Sequence, residues 1–278
     1  MLASTTEINT TPEVNKYTHP KEYFLVQIEL AKKIVELGLA KDLNEAIIKY
    51  TAIYRRITDK KYNPDQTEPA WQDLESKLDS NSSTRQALEI IWNSYVSNDE
   101  NKYKDETKDD GHHFGSFVYK DEIDKQTQQP KISLHFNVRN RGKLKSDFSR
   151  QFNEERQADL TEMFTAIKKR FLEDKSYRPQ TITLGSWMNN LPGVKDVLPP
   201  EFVKSAKVVY PPDISFNGDS MWGQFLKLDG NAYTQRVQEY LEKVSSAKSL
   251  NDLVEALPIP VVLFQGKIED FFNHYGIK

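Results

Sequence analysis

The chain has 278 residues, enough for one large domain or two modest ones with a substantial core. A formal net charge of -3 disfavours a general polyanion binder, and the absence of cysteine excludes disulfides, thiolate metal sites, iron–sulfur clusters and a cysteine nucleophile. With 37% hydrophobic and 28% charged residues the composition is that of a soluble globular protein. No run is long and apolar enough to cross a bilayer, and the first twenty residues hold no signal-peptide core, so the expectation is a cytoplasmic protein with no membrane partner.

Residues 1–20 read as a mobile tail. Residues 21–37 read as a helix with Phe24, Ile28, Ala31 and Val35 on one face, and Gly38 suits its end. Asp42 offers an N-cap with Glu45 in capping-box spacing. The helix that follows is expected to carry Leu43, Ala46, Ile47, Tyr50, Tyr54 and Ile57 on one stripe, completing a helical hairpin. Shorter helices are predicted at 69–78 and 84–96, on stripes that include Trp71 and Leu74, then Ile91 and Tyr95. Residues 97–111 are almost wholly polar and mark a linker or exposed loop.

Strand patterns begin after it. Residues 114–119 and 131–137 are expected to pair across a loop at 120–130. A helix at 151–172, capped by Ser149, then leads to a strand at 181–187. Beyond a Pro-punctuated stretch come a helix near 201–206, a strand at 207–210, helices starting near 222, 233 and 249, a strand at 259–264 and a helix at 268–275. The fold class is α+β, a helical N-terminal part packed on a mixed sheet with flanking helices. The organisation is a tail (1–20), a helical region (21–97), a polar loop (98–111) and an α/β domain (112–278), with the helical region and the α/β domain forming one compact unit.

Two apolar runs, residues 132–137 and 181–187, end in polar tips, and a helix lies between them. Ligands of open α/β sheets sit outside the carboxyl ends of strands, so these tips are the candidate site for a small anionic ligand. Arg139, Arg141, Lys143 and Lys145 suit an anion ahead of a helix, although a solvated basic turn has the same composition. The candidate ligand-binding residues are Asn137, Arg139, Arg141, Gly142, Ser186, Trp187, Asn190 and Gln224. Gln224 enters because large apolar side chains beside amides suit a pocket, a mixture that an ordinary core also shows. His135 is the candidate catalytic base, with a hydrogen-bonded structural histidine as the alternative. Ser186 lacks the second glycine of a nucleophile elbow. No metal site is expected, since adjacent His112 and His113 point to opposite faces of a strand and no ligand spacing is present.

Residues 139–144, Arg139-Asn140-Arg141-Gly142-Lys143-Leu144, resemble the pyrophosphate-binding loop of the GCN5-related N-acetyltransferases, R-x-x-G-x-G or R-x-x-G-x-A. Leu144 departs from the last small residue. In that family the loop joins a strand to a helix, and a second strand follows that ends near an Asn and leads into a short helix. The resemblance implies that Arg139, Arg141 and Gly142 hold the pyrophosphate of acetyl-coenzyme A. A second resemblance, to a group of uncharacterised bacterial proteins, rests on Tyr54-Arg55-Arg56, Gly185-Ser186-Trp187 with Asn190-Leu191, and Trp222-Gly223-Gln224-Phe225-Leu226. It implies a bacterial protein acting as one unit and brings no activity. Three functions therefore compete: small-molecule binding at the strand tips, with acyl transfer as its enzymic form; a non-catalytic protein partner or self-association through the N-terminal helices; and, ranked third, nucleic acid.

Overall fold

Apolar residues at three- and four-residue spacing make α1 (Lys21–Glu36) in the computed structural model, which describes residues 19–78, 82–97, 111–124, 127–136, 149–210, 216–227 and 230–278. The helix stops at Leu37, and Gly38 takes φ +70°, a left-handed conformation that costs glycine nothing. The Asp42 carboxylate accepts the Glu45 N–H at 2.8 Å and starts α2 (Leu43–Tyr50). The Glu45 side chain bonds the Lys41 N–H, one residue ahead of the expected capping-box partner.

The long helix expected through Ile57 is broken. Thr51 is extended (φ -137°, ψ 164°), and α3 (Ile53–Thr58) starts anew. The Thr51 hydroxyl donates to the Ile47 carbonyl at 2.7 Å and accepts the Ile53 N–H at 3.2 Å. Buried Gln27 of α1 accepts the Ala52 N–H at 2.7 Å. Side chains thus satisfy the backbone groups that continuous helix would have paired. Two helices follow, α4 (Pro69–Glu75) and α5 (Thr84–Ser97).

Strands β1 (His112–Phe114), β2 (Phe117–Ile123) and β3 (Pro130–Phe136) form an antiparallel meander. The strand expected at 114–119 contains a turn instead. Gly115 sits at φ +48°, and the Ser116 N–H bonds the Asp159 carboxylate at 2.8 Å. Next come α6 (Asn153–Glu173), β4 (Thr181–Ser186) and a tight helical turn over Trp187–Asn190. Ser149 makes no side-chain cap; its carbonyl accepts from the Arg156 guanidinium at 2.8 Å. The chain continues with α7 (Pro192–Lys195), α8 (Pro200–Lys204), β5 (Lys207–Val208), α9 (Asp219–Trp222), α10 (Thr234–Ser246), α11 (Leu250–Glu255), β6 (Val262–Lys267) and α12 (Ile268–His274). Strand β6 begins three residues later than the sequence pattern predicts, because Pro258 and Pro260 cannot donate to a ladder.

The architecture is α+β, with a six-stranded sheet in the order β1-β2-β3-β4-β6-β5. β3 and β4 run parallel, joined through α6, and the other neighbours are antiparallel. β5 and β4 both oppose β6, so the carboxyl ends of β3, β4 and β5 share one end of the sheet. Two apolar cores result. One lies between a sheet face and α6, α8 and α12, around Ile132, Leu134, Ile182, Leu184, Phe164, Phe202 and Phe271. The other joins α1–α5 to α9–α11 around Trp71, Tyr95, Trp222 and Tyr240, and takes in Val209 and Val261 beside β5 and β6. The helical part therefore borders the end of the sheet where β3, β4 and β5 finish. Among the described residues, no helix is long and apolar enough to cross a membrane.

Candidate functional site

Alternation along β3 and β4 decides what the strand tips present. Ile132 and Leu134 on β3, and Ile182 and Leu184 on β4, are buried in the α6-side core. Ser133 and His135 therefore point to the other face, together with Thr183 and Gly185. That face carries polar groups, with Lys120 opposite Ser133 on β2 and Thr183 beside Ser133 on β4, but Val118, opposite His135, is apolar and 4% exposed. The Ser133 hydroxyl oxygen is 3.1 Å from His135 Nε2. Leu263, paired with Gly185, packs against the helical core, so helices border this face at the strand tips.

The paired register of β3 and β4 runs from Lys131↔Thr181 to Leu134↔Leu184, two residues short of either strand's end. Beyond it His135 and Phe136 stay paired with Val118 and Phe117, while Gly185 and Ser186 stay paired with Leu263 and Val262. Each strand thus keeps its outer neighbour and loses the inner one. Among the described residues, a Cβ at Gly185 would meet only Leu263 Cδ1, at 3.7 Å.

The residues singled out from sequence divide into groups. His135 is exposed on the polar face. Ser186 is 2% exposed and shares the opposite face with Leu184, so the two do not converge. The Ser186 hydroxyl oxygen accepts the Met188 N–H at 3.1 Å and starts the helical turn. Trp187 is half-buried against the α6-side core. Asn190 donates to the Trp187 and Pro260 carbonyls, at 2.9 and 2.8 Å. Gln224 is fully buried in the helical core: its Nε2 donates to the Met221 carbonyl and its Oε1 accepts the Ile259 N–H, each at 2.8 Å. Asn137, Arg139, Arg141 and Gly142 lie outside the described residues.

Thr183, Gly185 and Asn189 stand outside the candidate ligand-binding residues, although Asn189 shares the tip of β4 with Asn190. The period-two alternation carried the signal for Thr183 and Gly185, once Leu134 and Leu184 are aligned in a parallel register. Asn189 is fully buried; its Nδ2 donates to the Leu184 and Val262 carbonyls, both at 2.8 Å, tying β4 to β6, and its Oδ1 has no partner. A buried acceptor without a bond, beside the strand ends, is a place for a water or ligand donor.

Other clusters are structural in their contacts. Asp121 accepts from the Arg170 guanidinium at 2.5 Å and from the Tyr177 hydroxyl at 2.7 Å, fastening β2 to α6 and the loop after it. His112 stacks on Tyr119 with centroids 4.4 Å apart. Among the described residues, no three His, Asp or Glu side chains gather closely enough to hold a metal ion. The apolar stripes of α1, α2 and α3 are spent inside the helical core. Comparison with protein-family models, with curated proteins and with solved structures finds no match for this chain.

Proposed function

We propose that the chain binds a small anionic ligand at the carboxyl ends of β3 and β4, and that this ligand is an acyl-coenzyme A whose acyl group passes to an amine. One observation carries the reading: the parallel pair of the sheet stops pairing at Leu134↔Leu184, two residues before its strands end. Ligands of α/β sheets favour such openings at carboxyl ends. The order of strand, Arg–Gly segment, helix, parallel strand and short helical turn is also the order that the acetyltransferase resemblance implies.

On this reading Arg139, Arg141 and Gly142 hold the pyrophosphate, a role that rests on the sequence resemblance. Gly185 leaves room for the rest of the ligand at the gap. Acetyl-coenzyme A supplies the activated acyl group. The polar face receives the amine, whose nitrogen bonds to the thioester carbonyl carbon as the C–S bond breaks and coenzyme A leaves as its thiolate. His135, whose Nε2 lies 3.1 Å from the Ser133 hydroxyl, accepts the proton that the amine gives up and returns one to the departing sulfur. Most of the acceleration comes from holding the two reactants in line.

The test is a thermal-shift titration with acetyl-coenzyme A, with free nucleotides as controls. A ligand at about a hundred times its dissociation constant adds about 2.7 kcal/mol to the folded state. The expected result is a saturable shift specific to acetyl-coenzyme A that Arg141→Glu abolishes. A shift of equal size in Arg141→Glu, or none in the native sequence, sinks the reading. For the chemistry, His135→Ala is expected to lower the acyl-transfer rate by about a hundredfold or more while acetyl-coenzyme A still binds.

A further inference from the structure

A cleft of about 190 Å3 opens in the helical part, away from the strand tips. Tyr54, Arg55, Lys60, Lys61 and Tyr62 line one side, and Asn217, from the chain that follows β5, lines the other. The local sequence builds the first side. Asp59 ends α3 in the left-handed region at φ 58°, and the chain turns so that the Tyr62 ring meets the Tyr54 ring edge-on, with centroids 5.2 Å apart. The result is a concave surface with aromatic walls and a basic rim.

Two observations point to a ligand. Among the described residues the charges on the lining are all positive, and they differ in how far they are committed. Lys60 is held by Glu68 at 2.8 Å. Lys61 is exposed and makes no ion pair among the described residues. Separately, Tyr54 lines the cleft and is 2% exposed, and its hydroxyl is buried with no hydrogen-bond partner. Buried hydroxyls are normally satisfied by protein, ordered water or ligand. A basic rim over aromatic walls suits a molecule with one strongly anionic end and a flat or apolar body.

We infer that this cleft is a second anion site that takes an organic phosphate monoester, with its phosphoryl group against Lys61 and its body against the exposed ring of Tyr62, beside the Tyr54 hydroxyl. The site shares no residue with the strand tips, so it stands or falls independently of acyl transfer. At this volume the ligand is small.

The test uses the full chain and two probes, inorganic phosphate and phenyl phosphate, titrated at low ionic strength and followed by phosphorus NMR. Phenyl phosphate is expected to bind saturably and more tightly than inorganic phosphate. Lys61→Glu, at an exposed position, is expected to weaken it by about tenfold or more. Tyr54→Phe, which keeps the ring and removes only the unpartnered hydroxyl, is expected to weaken it as well, and Arg141→Glu to leave it unchanged. Equal affinity for the two probes overturns the monoester assignment in favour of free phosphate. Absence of saturable binding, or loss in Arg141→Glu with retention in Lys61→Glu, overturns the site. Circular dichroism of each variant separates lost binding from lost fold.

Discussion

Gln224 and Asn190 hold successive residues of the chain that enters β6, one through the Ile259 N–H and the other through the Pro260 carbonyl. The fully buried Gln224 spends its amide on backbone groups, so its removal leaves the N–H of half-buried Ile259 without its acceptor. Gln224→Ala is expected to cost about 2 kcal/mol of unfolding free energy, measurable by urea denaturation. Titration gives a second expectation at this scale. Burial raises the Tyr177, Tyr240 and Tyr275 hydroxyls above the ordinary tyrosine range, and the Asp121 carboxylate adds to the effect on Tyr177. Unfolded tyrosines ionise near pH ~10, so above that pH the folded state holds more protons than the unfolded one. Stability from these groups is complete below that pH and declines as the pH rises beyond it. Tyrosinate absorbance followed together with circular dichroism should show a late-ionising fraction that appears with unfolding. Free ionisation of every tyrosine in the folded chain would contradict this.

At the scale of elements, close approach fixes where the helices sit on the sheet. A Cβ at Gly266 in β6 would lie 2.9 Å from Cδ2 of Phe202 in α8, and Phe202 is fully buried between Phe264 and Phe271. The ring cannot swing clear without disturbing both neighbours. Gly266→Ala is therefore expected to destabilise the fold by about 1–3 kcal/mol. A chemical denaturation midpoint equal to that of the native sequence would mean that α8 moves freely on the sheet. The β1–β2 turn obeys a similar constraint. Gly115 combines φ +48° with a position where a Cβ would run into the Asp159 carboxylate. That carboxylate also receives the Ser116 N–H, so turn and helix fix each other.

For the whole molecule, the two cores meet along β5, β6 and the segment before β6. Val209 and Val261, bonded through the Val209 N–H and the Val261 carbonyl at 3.0 Å, belong to the helical core, while Val262 belongs to the α6-side core. Adjacent residues thus serve different cores, so this junction has no slack. The expected consequence is one unfolding transition. Hydrogen exchange measured in increasing urea should release α1 and the β3–β4 pair at the same midpoint, and separate midpoints would show two independent units.

The sequence by itself determined the elements whose signals are local. The 3.6-residue stripes gave α1 and α5, local pattern gave a helix at α6, Asp42 gave a cap that forms as expected, and alternation gave β3 and β4. Those signals operate over a few residues and need no partner. Tertiary contacts decided the rest. The break at Thr51 depends on Gln27, which lies on another helix and accepts the Ala52 N–H. The prolines delay β6, but only the tertiary structure supplies the acceptor for the Ile259 N–H between them, the Gln224 Oε1 of the helical core. The candidate site shows the same division. That the tips of β3 and β4 neighbour each other follows from strand–helix–strand order. Which side chains share a face there follows from the register Leu134↔Leu184, and register is a property of two strands together. It sets His135 with Ser133 and Gly185 on the polar face and turns Ser186 into the core, a separation that no reading of one strand alone could supply.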